Sequence, residues 1–157
     1  MNDAAHTHHG RELISFRIGA QEFCVDIMAV REIRGWTAAT ALPQSPSYVR
    51  GVINLRGAVL PIVDLPNRLG YGVSEPTARH VIIVAQIGTQ FVGLLVDAVS
   101  DVLDVNGDAM RPAPDFGSAV DTRFIEGVFE TRERLAVALN LEQLLQDAEV
   151  SMLPLAA

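Results

Sequence analysis

The chain has 157 residues, and 49% of them are hydrophobic, which is enough to bury a sizeable core. The formal net charge is −7, with 12 Lys and Arg residues against 19 Asp and Glu residues. This acidic balance argues against sequence-independent binding of nucleic acid or of an anionic membrane surface, because both need a cationic surplus. A single cysteine, Cys24, excludes an internal disulfide framework and is typical of a reducing cytoplasm.

The N-terminal residues, about 1–11, lack the charged and then apolar segments of a secretory signal, and we interpret them as a disordered leader. The leader carries His6, His8 and His9, but a metal site needs further ligands, so we predict no bound metal. No later segment has the roughly 18 consecutive apolar residues of a membrane span, which predicts no direct membrane insertion.

The first predicted element is a β-hairpin. Apolar residues alternate with polar ones on both sides of a turn at Gly19-Ala20, which is the pattern of half-buried strands. Residues Val30–Arg34 continue in an extended conformation, and Pro43 and Pro46 then enforce a loop.

A second hairpin is predicted in the stretch Gly51–Leu65, GVINLRGAVLPIVDL. Its apolar strands, Val52–Leu55 and Ala58–Val63, are joined at Arg56-Gly57, since glycine readily takes the positive φ of a tight turn. Arg56 therefore lies at the tip of a hydrophobic hairpin. It is either a functional side chain or simply a solvated turn residue.

The sequence contains an internal repeat. Ile18–Ile33 aligns with Ile87–Val102 at a constant offset of 69 residues, and Gly51–Leu65 aligns with Gly127–Leu141 at an offset of 76. The difference places about seven extra residues in the second copy, in the loop Arg111–Asp121. The repeat predicts two short β units in tandem.

The two units are predicted at about 12–70, subdomain 1, and about 77–141, subdomain 2. Each has about five short strands with turns every 8–12 residues, which favours a small barrel because closure removes exposed strand edges. We therefore predict an all-β fold of two five-stranded barrels packed together. Leu141, Leu144 and Leu145 fall at helical spacing, so a C-terminal helix and tail are predicted at about 142–157.

The two copies differ in one strand pair. Cys24 is predicted on the outward face of its strand beside Glu22 and Asp26, whose carboxylates would raise the pKa of its thiol. The counterparts in the second copy include the apolar residues Phe91 and Leu95. We expect these two at the seam between the barrels, the alternative being a patch that another protein covers.

The sequence lacks the motifs of the common catalytic sites. There is no GxxxxGK[ST] phosphate loop, no GxGxxG, no HExxH, no CxxC and no GxSxG nucleophile elbow. His80 is the one histidine outside the leader, and no nucleophile lies near it in the sequence. We therefore predict a protein that is not an enzyme, needs no cofactor and works by binding other proteins.

Four blocks of the sequence resemble, in order and spacing, the CheW-like family of chemotaxis coupling proteins: VREIRG (Val30–Gly35), GVINLRGAVLPIVDL (Gly51–Leu65), VGLLVDAVSDVL (Val92–Leu103) and RPAPDF (Arg111–Phe116). The resemblance covers roughly Glu12–Gln146. It implies two SH3-like barrels and a cytoplasmic scaffold that joins chemoreceptor tips to the regulatory domain of the histidine kinase CheA. Self-association in array rings is a further implication.

The resemblance also implies site residues. The paired Glu and Arg of the family match Glu32 and Arg56, and such a pair would orient the surface that receives a receptor helix. The remaining receptor-binding residues that it implies are Val30, Gly57, Val99 and Val102. The alternative for the three valines is an ordinary place in the core.

Two further groups of residues follow from the same resemblance. Phe116, in a Pro-braced loop, resembles the contact to the kinase regulatory domain, and Arg111 is assigned to the same surface. Gly51, Gly57 and Gly93 match positions where a side chain would crowd the backbone.

Two alternatives to the receptor–kinase adaptor stay open at this point. One is the equivalent adaptor of a non-flagellar, surface-motility array, whose partner choice would lie in surface loops. The other is a sensor that binds a small ligand in the crevice between the barrels, which requires a concave pocket with convergent polar groups.

Overall fold

The computed structural model describes residues 10–106, 109–112, 122–131 and 134–145. Within these ranges the chain is mainly β, with ten strands and two short α-helices. They are β1 Gly10–Ile18, β2 Gln21–Asp26, β3 Val30–Gly35, β4 Val49–Leu55, β5 Ala58–Asp64, α1 Leu65–Arg68, β6 Val81–Ile87, β7 Gln90–Val96, β8 Ala98–Asn106, β9 Ile125–Thr131, β10 Arg134–Leu139 and α2 Leu141–Leu145. No helix in the described ranges is long and apolar enough to cross a membrane.

The strands form two five-stranded sheets, in the order β9-β10-β2-β1-β8 and β3-β6-β7-β5-β4. Each sheet therefore takes two strands from one half of the chain and three from the other. The predicted division into barrels at about 12–70 and 77–141 is wrong, because β1 and β2 pair with strands of the second half. The repeat predicts which residues form strands. It does not predict which copy of a strand joins which sheet, because both copies have the same hydrophobic pattern.

The internal repeat itself is present in the structure. Replacing each strand by its repeat counterpart converts the first sheet order into the second. The irregularities in strand pairing also correspond: Arg31 and Ser100 are each skipped in the pairing of an edge strand, and so are Arg50 and Glu126 in the two long hairpins. The molecule is thus a pseudo-symmetric pair of barrels that exchange strands.

Each sheet is closed by a backbone bridge that follows an edge strand. Beyond β3, Thr40 exchanges two hydrogen bonds with Val52 of β4, at 2.8 and 2.9 Å. Beyond β8, Arg111 exchanges two with Val128 of β9, at 2.9 and 2.8 Å. These bridges join the two edges of each sheet, and we call the resulting bodies the first barrel (β9-β10-β2-β1-β8) and the second barrel (β3-β6-β7-β5-β4).

The buried apolar residues of the described ranges form three groups. The first-barrel core contains Leu13, Cys24, Val105, Phe129, Ala136 and Ala138, and the second-barrel core contains Ile53, Leu60, Ile62, Ile82, Val84 and Leu95. The largest group, which we call the seam cluster, draws on both sheets. It consists of Ile14, Phe16, Ile18, Phe23, Val25, Tyr48, Val49, Val63, Leu65, Leu69, Ile83, Ala85, Val92, Leu94, Val96, Phe124, Leu139, Leu141, Leu144 and Leu145.

The strand faces are the reverse of those predicted. Cys24 is fully buried in the first-barrel core, and burial, with a smaller contribution from Glu22, raises the pKa of its thiol to about 12. Leu95 belongs to the second-barrel core, and Phe91 is 45% exposed, so neither lies in the seam cluster. The reason is that β2 and β7 are covered on both faces, by a barrel core on one and the seam cluster on the other.

The two ends of the chain also differ from expectation. Gly10 and Arg11 belong to β1, so a disordered leader reaching residue 11 is wrong. The Arg11 guanidinium binds Asp26 at 3.3 Å and Glu126 at 2.5 Å. The predicted C-terminal helix is present as α2, whose apolar residues pack into the seam cluster. The histidines of the leader and the tail after Leu145 lie outside the described residues.

The barrel closure gives a stability prediction at Gly51. Its φ is +139°, and an added methyl group would overlap the carbonyl oxygen of Thr40. We expect Gly51→Ala to lower the free energy of unfolding, measured by urea titration, by about 3 kcal/mol or more. Gly35→Ala is the matched control: no heavy atom lies within 4 Å of the added methyl, so its change should stay within about 0.5 kcal/mol. Equal losses in both variants would contradict this explanation.

Strand exchange predicts that the two halves cannot fold separately. Residues 1–76 and 77–157, produced alone, each lack strands that complete both barrels. We expect neither fragment to show cooperative thermal unfolding by circular dichroism, and an equimolar mixture to recover it. A native-like transition in either fragment alone would argue against the exchanged pairing.

Candidate functional site

The tip of the β4–β5 hairpin is a two-residue turn between Leu55 and Ala58. Both turn residues have positive φ, +52° at Arg56 and +86° at Gly57, as a type I′ turn requires. A non-glycine residue in this conformation costs about 1–2 kcal/mol. The Asn54 side-chain oxygen accepts a hydrogen bond from the Gly57 N–H at 3.0 Å, which holds the turn. Arg56 is therefore presented in a fixed and unusual backbone conformation.

The glycines at the site have different requirements. Around Gly57 no heavy atom lies within 4 Å of an added methyl group, so the prediction of crowding is wrong there, and only the positive φ favours glycine. At Gly93 a methyl group would lie 2.7 Å from Ile62 Cδ1 and 2.9 Å from Ile82 Cγ2, inside the second-barrel core. Crowding against the backbone is found at Gly51, where the nearest atoms belong to Thr40 and Ala41, whereas at Gly93 the crowding is against side chains.

The structure brings Glu32 and Arg56 together. The Arg56 Nη2 group donates to Glu32 Oε1 at 2.5 Å. The Glu32 side chain, on β3, is 26% exposed, whereas that of Arg56 is 71% exposed. Because β3 and β4 are the two edges of the second sheet, this ion pair links the same two edges as the Thr40–Val52 bridge.

A second arginine binds the same carboxylate. Arg34 lies two residues after Glu32, on the same face of β3, and its Nη1 group donates to Glu32 Oε2 at 3.3 Å. The hydrogen bond from Arg56, with the positive charges of Arg56 and Arg34, holds the pKa of Glu32 below its usual value. The same hydrogen bond and the Glu32 charge raise the pKa of Arg56. The trio carries a net charge of about +1 at neutral pH.

The three valines implied as groove residues lie on both barrels. Val30 is on β3 of the second barrel, and Val99 is on β8 of the first; both are half-buried against the seam cluster. Val102, also on β8, is 46% exposed. Core packing thus explains part of the burial of Val30 and Val99, but Val102 offers its side chain to solvent.

The residues assigned to a kinase-binding surface are only partly described. Arg111 is exposed, and its backbone closes the first barrel through Val128. Phe116 lies outside the described residues. The Arg111 backbone is therefore held on the first barrel, next to the sequence block that contains Phe116.

The ligand-sensor alternative requires a polar pocket between the barrels. A cleft of about 420 Å³ does lie there, lined by residues of both barrels. Arg11 lines this cleft, and its guanidinium already binds Glu126 and Asp26, which line the cleft too. These charges therefore pair with one another and do not converge on a ligand. Two of the residues that line the cleft, Leu139 and Leu141, belong to the seam cluster. The described residues also contain no group of His, Cys, Asp and Glu that could hold a metal ion.

Comparison with known proteins settles the family. The family model of the CheW-like domain matches residues 12–149. This chain belongs to the CheW-like family. It is 58% identical to a probable chemotaxis protein CheW of Rhizobium etli, over 88% of this chain and 90% of that protein. It is 56% identical to a chemotaxis protein CheW of Rhizobium meliloti, over 94% and 96% of the two chains.

A solved structure of the same family shares the fold. The crystal structure of the scaffolding protein TtCheW from Thermoanaerobacter tengcongensis superposes with a TM-score of 0.80 at 29% identity, and covers 92% of this chain and 94% of that one. The predicted membership of the CheW-like family, the all-β fold of two barrels with a C-terminal helix, and the function as a chemotaxis scaffold are thereby confirmed.

Sequence reasoning missed two residues of the site. Arg34 could have been found from its spacing, because residues i and i+2 of a strand share a face and Glu32 precedes it by two. Asn54 could have been found from turn chemistry, since Asn side chains commonly bind backbone N–H groups of a following turn.

The arginines predict an acidic titration of Glu32. The pKa of Glu32 is lower in the folded than in the unfolded chain. The ion pair therefore stabilises the fold at pH values above the unfolded pKa of about 4.3, and this stabilisation is lost as the pH falls through the folded pKa. We expect ¹³C NMR of labelled glutamate carboxyls to show a midpoint for Glu32 below the ordinary value, rising toward it in Arg56→Gln. Arg31→Gln, which removes a cation bound to Gln86 and not to Glu32, should leave the midpoint unchanged. A midpoint in Arg56→Gln that equals the wild-type midpoint would contradict the assignment.

Proposed function

We propose that this protein couples the cytoplasmic tips of chemoreceptors to the regulatory domain of the histidine kinase CheA, and that it has no catalytic activity of its own. It would do so in the cytoplasm, at membrane-associated receptor arrays, where self-association in rings is a further expectation. The observation that carries the proposal is the Glu32–Arg56 pair on a fixed hairpin turn, in a chain that belongs to the CheW-like family.

The receptor-binding surface is proposed to consist of Val30, Glu32, Arg56, Gly57, Val99 and Val102. An amphipathic receptor helix would lay its apolar face against the valines, of which Val102 is the most exposed. The ion pair lies on a solvated surface and contributes little to stability. Its proposed role is orientation, since a guanidinium held by a carboxylate keeps the hairpin tip in one position for the helix.

The kinase-binding surface is proposed to lie on the first barrel and to include Arg111 and Phe116. Two observations support this division. The Arg56 hairpin belongs to the second barrel, whereas Arg111 closes the first, so these two residues stand on different barrels. The receptor-binding surface also reaches the first barrel, through Val99 and Val102. The two backbone hydrogen bonds between Arg111 and Val128 hold Arg111, the start of the block RPAPDF, on the first barrel.

One reconstitution tests both surfaces. With purified kinase and a receptor signalling domain, we expect Arg56→Ala to weaken receptor binding, and Phe116→Ser to weaken kinase binding, each by roughly fivefold or more. We expect both variants to remain folded. For Arg56→Ala the reason is that the Arg56 side chain is 71% exposed.

Two substitutions of matched chemistry serve as controls. Arg31→Ala removes an arginine from the same strand as Glu32, and Val73→Ser removes an apolar side chain that is 71% exposed. Both should bind and activate like the wild type. Normal kinase activation by Arg56→Ala and Phe116→Ser would reject the site assignments. A specific rise in unfolding temperature with a metabolite would instead favour the sensor.

A further inference from the structure

The carboxylate of Glu32 is shared between two arginines, one on each oxygen. Arg56 binds Oε1 from an exposed hairpin turn, and Arg34 binds Oε2 from within β3. The two arginines therefore differ in how firmly the fold holds them. Arg34 is held more firmly, because its backbone pairs with Ile82 of β6 and its side chain is 31% exposed, whereas that of Arg56 is 71% exposed.

Arg34 occupies a place that does not favour an arginine. Its Nε atom is buried and has no hydrogen-bond partner among the described residues. An unpaired buried N–H group is destabilising, so packing alone gives no reason for a guanidinium here.

The repeat shows what packing alone would select at this place. The counterpart of Arg34 in the first barrel is Leu103, which packs against the first-barrel core and leaves no polar atom unpaired. The counterpart of Glu32 is Asp101, whose Oδ1 atom accepts a hydrogen bond from the N–H of Val102. At this position the first barrel thus has an apolar residue and the second barrel a cation.

We propose that Arg34 is a positioning residue of the receptor-binding surface. It fixes the Glu32 carboxylate through Oε2, so that Oε1 stays directed at Arg56, and it does so without contacting the receptor. The inference rests on the proposed function, since it explains how the Glu32–Arg56 pair keeps its orientation. It also explains why only the second barrel has an arginine at this position.

The structure supplies a variant that should fold. Arg34→Leu introduces the residue of the first barrel, so we expect its unfolding temperature to equal or exceed that of the wild type. In the free protein the Glu32 carboxyl should titrate at a higher pH than in the wild type, as judged by ¹³C NMR, because one of its two cations is gone. A role in packing alone would leave that titration unchanged.

Receptor binding and kinase activation in the reconstituted system decide the inference. We expect Arg34→Leu to weaken receptor binding by roughly threefold or more, and Arg34→Lys to bind more tightly than Arg34→Leu, because it restores a cation. The double variant Arg34→Leu with Arg56→Gln should bind within about twofold of Arg56→Gln alone, because both changes disable the same pair. Arg31→Gln, on the same strand but bound to Gln86, is the control and should behave as wild type.

Three results would overturn the inference, and they are distinguishable. Normal binding by Arg34→Leu together with weak binding by Arg56→Gln would leave the receptor surface in place and reject the role of Arg34. Fully additive losses in the double variant would mean that Arg34 contacts the receptor directly. Normal binding by both single variants would reject the proposed receptor surface, and the role of Arg34 with it.

Discussion

The exchange of strands between the two halves is the constraint on which the rest of the structure depends. The first barrel is completed by β1 and β2 of the first half, and the second barrel by β6 and β7 of the second half. The exchanged strands join through the parallel pairs β10–β2 and β5–β7. This exchange buries the central strands on both faces and creates the seam cluster, the largest apolar group in the described structure. It also supports the candidate site, because the strand of Glu32 pairs with β6 and the hairpin of Arg56 is anchored through β5 on β7.

The two barrels have diverged while keeping their shared geometry. In the second barrel, Arg50 binds the buried carboxylate of Asp64, which also caps α1 by accepting from the Asn67 N–H. At the corresponding places in the first barrel stand Glu126 and the neutral cap Asn140. A carboxylate thus replaces the guanidinium, and Arg11 on β1 supplies the compensating charge. A charge that is only partly exposed needs a partner of opposite sign. The change from a guanidinium at position 50 to a carboxylate at position 126 is therefore accompanied by a different partner, Arg11 in place of Asp64.

The candidate site was predictable where local pattern determines it. The β4–β5 hairpin follows from two apolar runs around Arg56-Gly57, and Glu32 follows from the family resemblance carried by VREIRG. The role of Arg34 was not predictable, because no motif states that both carboxylate oxygens are occupied by different arginines. Cys24 was placed on the wrong face for a related reason. Alternation separates the two faces of a strand, but it does not say which face meets solvent when both are covered.

The sequence by itself determined the all-β class, the repeat, the position of each hairpin and the membership of the CheW-like family, because turn chemistry, strand alternation and motif spacing are local properties. Only the tertiary structure decided which half completes which barrel, and with it the burial of Cys24 and Leu95 and the joining of the second sheet's edges by Glu32 and Arg56. Two copies of one hydrophobic pattern can pair within a half or across halves with the same local fit. The choice depends on the long-range packing of the seam cluster, which no single segment contains.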